Sequence, residues 1–159
     1  MMKILFASLL LAFIFSGCSK TNVEENKPVA MTVFKSPTCG CCKDWITHIE
    51  QQHFTVTVEE PLDLNAVKDA LGLKPKYHSC HTGVTQSGYV FEGHIPAKVI
   101  QQFLRNPPPQ ALGLTVPGMP LGSPGMEIEQ RFTPYDVLLL NKDGSSRVYK
   151  HIAQQAEQY

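Results

Sequence analysis

Three thiols crowd into four positions at Cys39-Gly40-Cys41-Cys42, and Cys80 stands alone further along the chain. The cluster follows the apolar run Met31-Thr32-Val33-Phe34 and precedes Trp45, Ile46 and Ile49, which continue from Cys42 at helical spacing. That order reads as strand, tight turn and helix, with Pro37 and Thr38 at the helix start and Thr38 placed to cap it. A cysteine at a helix N-terminus meets unpaired N–H groups and the positive end of the macrodipole, both of which favour thiolate over thiol. Cys39 and Cys42 form a C-x-x-C pair with Cys41 as an extra thiol inside it. Such a group can hold a soft metal, or it can exchange disulfides with Cys39 attacking and Cys42 resolving.

The other soft or borderline donors are His81 beside Cys80, His94 before a proline turn, and Met119 and Met126. The methionines lie in near-duplicate settings, Pro117-Gly118-Met119-Pro120 and Pro124-Gly125-Met126-Glu127. Thiolates and thioethers select Cu(I), whereas four thiolates are also a familiar tetrahedral Zn(II) set. Neighbouring side chains on a helix diverge by about 100°. Cys41 and Cys42 are therefore expected to suit thiolates bridging several Cu(I) ions better than a single Zn(II) ion. His94 could instead bond its own turn, and the methionines could simply pack. His48 stands two turns from Cys41, roughly 10 Å along the axis, and is expected to pair with Asp44 or meet solvent. Trp45 is expected in the core.

Several elements must position these groups. Met31 to Phe34 is a strand, followed by a helix to about Gln52 and a second strand from Phe54 to Val58. Asp63 caps a short helix whose Leu64, Val67 and Leu71 share a face, and Gly72 stops it. Cys80 is delivered to the start of the strand Thr82 to Thr85, which turns at Ser87-Gly88 and returns through Tyr89 to Glu92. Pro96 opens a third helix with Val99, Ile100, Phe103 and Leu104 inward. Residues 111–125 carry so many prolines and glycines that no regular element is expected there, only a rigid Pro/Gly/Met-rich flap. Tyr135 to Leu140 and Arg147 to Lys150 close the chain as a β-hairpin. The fold class is α/β, with a thioredoxin/glutaredoxin-like central sheet flanked by helices.

With a formal net charge of zero over 159 residues, no nucleic-acid partner is expected. Lys3 followed by the apolar run Ile4 to Phe15 and by Ser16-Gly17-Cys18 has the form of a signal peptide over residues 1–17. It also resembles a bacterial lipoprotein signal, in which Cys18 becomes the lipidated first residue. Ser19 then fits sorting to the outer membrane. In a plain secretory peptide Cys18 would stay an ordinary thiol. Residues 18–29 read as a polar tether and residues 30–152 as the folded domain.

Longer motifs carry a family likeness. Ser36-Pro37-Thr38-Cys39-Gly40-Cys41-Cys42 with Trp45 and His48, Ser79-Cys80-His81-Thr82, Glu92-Gly93-His94-Ile95-Pro96, Val116 to Pro120 and Ser123 to Glu127 resemble the periplasmic copper-resistance proteins called CopG. The likeness spans Met31 to Lys150. It implies a thioredoxin-like domain that binds copper through its cysteines in copper tolerance, with redox activity and other periplasmic copper-handling proteins as partners. Thiol–disulfide exchange by Cys39 and Cys42 is the alternative. A thioredoxin-like oxidoreductase places a cis-proline just before the third strand, whereas Ser79-Cys80 stands there in this chain and offers a thiolate.

The address is directly testable. Wild type is expected to partition into the detergent phase and Cys18→Ser into the aqueous phase. Aqueous partitioning of both would exclude the lipid anchor.

Overall fold

The structure, a computed structural model, describes residues 27–159. The signal peptide, Cys18 and most of the tether lie outside the described residues. Strand β1 (Val29–Lys35) leads through the cysteine turn into α1 (Gly40–Glu50) and back through β2 (Phe54–Glu59). Then come α2 (Leu64–Ala70), a 3-10 turn (Pro75–Tyr77), the hairpin β3 (His81–Thr85) and β4 (Val90–Glu92), and α3 (Ala97–Arg105). Three more strands follow, β5 (Ala111–Thr115), β6 (Tyr135–Asn141) and β7 (Ser146–Ile152), with a 3-10 turn at Gln155–Gln158.

One seven-stranded sheet runs in the order β2-β1-β3-β4-β5-β6-β7. The β1–β2 and β4–β5 pairs are parallel, and the remaining pairs are antiparallel. Alternate residues of its strands feed two apolar clusters, as a period of two requires. Met31, Val33, Phe91, Leu114, Val137 and Leu139 meet Trp45 and Ile49 of α1 and Val99, Ile100 and Phe103 of α3. Val90 and Leu140 join Leu73 and Tyr77 in the other cluster. Each fully buried aliphatic or aromatic side chain contributes about 1.5–3 kcal/mol.

β5 departs from the sequence expectation, because the first five residues of the anticipated flap form an interior strand. Gly113 had counted as a breaker, but it is where β5 crowds β4. A Cβ there would overlap the Val90 carbonyl, and the β5–β6 register shifts at the same place. The prolines begin only at Pro117, after the strand has ended. The capping expectation also changes. Cys39 itself is the N-cap of α1, with extended backbone and no side-chain cap, while Thr38 pairs with Ser36. In α2, Asp63 does cap, accepting from the Ala66 N–H at 3.0 Å. Leu64, Val67 and Leu71 are only half-buried, and the residue α2 buries is Lys68.

Lys68 and Glu92 form an ion pair with side chains 1% and 0% exposed. Breaking such a pair from one side leaves an uncompensated charge in the interior. Lys68→Met is therefore expected to lower unfolding free energy by about 3–5 kcal/mol, read from urea denaturation midpoints. A loss below about 1 kcal/mol, the range of a solvated surface pair, would mean that water reaches the pair.

Candidate metal centre

The register of β1 against β3 decides which residues meet. Lys35 lies opposite His81, so the exit of β1 toward Cys39 runs beside the entry of β3, where Cys80 stands. The sulfurs of Cys39, Cys41, Cys42 and Cys80 consequently all lie within 4.8 Å of one another. Cys39 and Cys42 are joined as a disulfide, with Cys41 and Cys80 free. The Cys41 sulfur is 3.6 Å from that of Cys39, and the Cys42 sulfur is 3.6 Å from the Cys80 carbonyl oxygen. These sulfurs stand closer than helical divergence alone implies, because Cys39 sits outside the helix in extended backbone. A tetrahedral thiolate site with metal–sulfur bonds of about 2.3 Å has sulfurs roughly 3.8 Å apart. Small adjustments of the reduced cluster would reach that spacing.

Two imidazoles complete a second group that shares Cys80. The donor atoms of Cys80, His81 and His94 also lie within 4.8 Å of one another. The Cys80 sulfur is 3.0 Å from His94 Nε2 and 3.3 Å from His81 Nδ1. The His94 Nδ1–H donates to the Pro124 carbonyl at 2.8 Å, which fixes the tautomer and turns the Nε2 lone pair toward Cys80. His94 thus bonds backbone with one nitrogen, as the turn reading allowed, and faces sulfur with the other.

Both rings are fully buried, and burial pushes both below the ordinary histidine range. His81 is pushed further, with the neighbouring His94 and the Lys68 ammonium adding to burial. Its Nε2 is the one buried side-chain nitrogen or oxygen without a hydrogen-bond partner among the described residues. Burial, then repulsion from Cys41, raises the Cys80 thiol to about 12. Trp45 lies against His81, with ring centroids 4.2 Å apart, and its indole N–H donates to the Ile95 carbonyl at 2.9 Å. Its expected core position holds.

The segment carrying the methionines is laid across the cysteine turn. A Cβ on Gly125, whose φ is +82°, would stand 2.7 Å from the Cys41 carbonyl oxygen and 2.6 Å from the Trp45 nitrogen. Only glycine permits that approach. The Ser79 hydroxyl donates to the Gly118 carbonyl, which ties the same segment to the residue before Cys80. Met126 is half-buried and Met119 is 54% exposed. His48 corrects its expectation of an Asp44 or solvent partner. Its Nε2 accepts the Ala97 N–H at 3.0 Å, satisfying an orphan donor at the start of α3. The residue that sequence reasoning missed is Lys68, whose single charge on a half-apolar helix face gives no periodic signal.

Comparison with known proteins adds to this geometry. The family model "Protein of unknown function, DUF411" matches residues 77–126. A solved structure entitled "Copper resistance protein copG- Form 2" shares 44% identity and a TM-score of 0.74, covering 79% of this chain and 99% of its own. A second, "Form 1", shares 42% identity and a TM-score of 0.74, covering 79% and 98%. This chain belongs to the CopG copper-resistance family. No curated protein matches it. The stretch covered by the family model includes Cys80, His81, His94, Met119 and Met126, while the cysteine turn lies upstream of it.

For a CopG-family centre built this way, protons and metal compete for the same sulfur. A thiol with a pKa near 12 is protonated at neutral pH, so a metal that takes it must displace a proton. Apparent Cu(I) affinity is expected to rise with pH by about tenfold per unit for each protonated thiol displaced. Cys80→Ser is expected to lower that slope by about one proton. Competition titrations between pH 6 and 8 giving equal slopes for both proteins would exclude Cys80 as a displaced thiol.

Proposed function

We propose that this chain is an extracytoplasmic copper-binding protein of copper resistance. It holds Cu(I), several ions together, on the thiolates of Cys39, Cys41, Cys42 and Cys80. The observation that carries the reading is the gathering of four soft donors from two separate segments within 4.8 Å. His81 and His94, neutral through burial and turned toward Cys80, are further ligands on this reading, with Met119 and Met126 as thioether donors at the rim. The run β2-β1-β3-β4, with its parallel and antiparallel pairings, supports a thioredoxin/glutaredoxin-like core that β5 to β7 extend. The protein faces the periplasm, anchored to the outer membrane through Cys18, and exchanges copper with other periplasmic copper-handling proteins.

The Cys39–Cys42 disulfide gives the centre two states. Two electrons and two protons from an external dithiol reductant open it and complete the four-thiol set. In the reverse direction, closing it releases two electrons, enough to take two Cu(II) to two Cu(I). That step leaves Cys41 and Cys80 as the free thiols, and a further round needs the external reductant to reopen the bond.

The same disulfide favours a second reading, thiol–disulfide exchange by Cys39 and Cys42. The two readings part at Cys80. Loss of a ligand's supporting partner commonly costs 10–100-fold in metal affinity, so loss of the ligand itself should cost about 100-fold or more. Anaerobic titration of the reduced wild type is expected to take up more than one Cu(I) per chain and to prefer Cu(I) to Zn(II). Cys80→Ser is expected to remain folded and bind far more weakly. Unchanged copper affinity in Cys80→Ser, together with robust insulin-type disulfide reduction, would select the exchange reading instead.

A further inference from the structure

One wall of the centre is the cysteine turn, and the other is Ser79-Cys80-His81. That second wall is held from behind by three successive residues at the end of β4. Glu92, fully buried, accepts the Ser79 N–H at 2.5 Å and the Thr82 hydroxyl at 2.6 Å, and it pairs with the Lys68 ammonium. Lys68 also donates to the Thr82 hydroxyl at 3.0 Å, which closes the network. Gly93, with φ +79°, donates its N–H to the His81 carbonyl at 3.0 Å. A Cβ on Gly93 would stand 2.7 Å from the Ser79 Cβ and 2.5 Å from the Val116 carbonyl oxygen, so only glycine lets β4 lie this close. His94 then reaches Cys80. Each residue of Glu92-Gly93-His94 thus engages a different residue of Ser79-Cys80-His81.

We propose that the buried Lys68–Glu92 pair is a positioning device for the metal centre. Glu92 clamps the Ser79 amide, so that the Cys80 sulfur and the His81 ring stay against the cysteine turn, and Lys68 balances the charge of the clamp. The inference rests on the reading of Cys80 as a copper ligand. Stability alone gives a weak reason for the pair, because well-packed apolar residues commonly replace a buried ion pair without loss. An apolar pair cannot accept the Ser79 N–H. Ser79 and Cys80 are both half-exposed, and without that acceptor the amide turns to water and the segment is released.

The decisive variant is Lys68→Met with Glu92→Met, which removes the clamp without leaving a lone buried charge. Three quantities are read on the full chain. They are the unfolding midpoint, the alkylation rates of Cys80 and Cys41 in the metal-free disulfide form by peptide mass mapping, and Cu(I) affinity in the reduced form. The double variant is expected to unfold at or above the wild-type midpoint. Its Cys80 should alkylate about tenfold faster while Cys41 is unchanged, and its Cu(I) affinity should fall about 10–100-fold, as for a lost outer-shell partner. Should it not fold, Lys68→Met with Glu92→Leu, which also removes both the acceptor and the charge, carries the same readouts. Equal acceleration of Cys41 and Cys80 would indicate general loosening and overturn the proposal. So would Cys80 reactivity and Cu(I) affinity within about twofold of wild type, well short of an outer-shell effect. Failure of the wild type to bind Cu(I) would instead defeat the copper reading, and the ratio of Cys80 to Cys41 alkylation would still judge the clamp.

Discussion

The antiparallel register of β1 on β3 is the constraint from which the centre follows. With Lys35 opposite His81, the chain leaving β1 and the chain entering β3 pass side by side at one end of two interior strands. No loop has to find the other in solution. The cost of bringing distant thiols together is carried by the ladder and by the apolar clusters on either face. Cysteine positions then matter only relative to the strand ends. Moving the cysteine one residue on, into the first position of β3, would aim its side chain differently, because successive side chains point to opposite faces.

Position is not enough, because a donor must also be in the right protonation state. Burial does two different things here. It keeps His81 and His94 neutral, the form that can donate a lone pair. It also keeps the Cys80 thiol protonated, the form that cannot bind. A soft cation reverses the second effect, since the charge that made the thiolate costly to bury is neutralised on binding. Helix dipole and burial oppose one another at this site. At Cys80, which stands just before β3 rather than at the start of α1, burial dominates.

How far the site could be read from the residues depended on whether its parts were local. The C-x-C-C turn, the capping Asp63 and the buried face of α1 are local patterns with periods of their own, and they stand as read. The partnership of Cys80 with the turn needed the strand order, which the β-α-β-α-β-β run supplied. β5 was hidden because glycine carries two opposite meanings. Gly113 permits close strand approach, whereas Gly118, Gly122 and Gly125 mark turns, and composition weighs them alike. His48 was misplaced for a related reason. Its partner is the backbone N–H of Ala97, and backbone donors leave no mark in a sequence.

Lys68 was hidden more deeply. A lysine on a short amphipathic helix reads as solvated, and most are. It is buried where Glu92 of β4 meets it, and the same carboxylate accepts the Ser79 N–H. The order of causes runs from the centre outward. A strand entry that holds the Cys80 sulfur and the His81 ring against the cysteine turn has a backbone N–H behind it, at Ser79, that needs a partner. A carboxylate satisfies that amide, and a cation satisfies the carboxylate. A charge in the core is thus traced, bond by bond, to the segment that carries one sulfur atom.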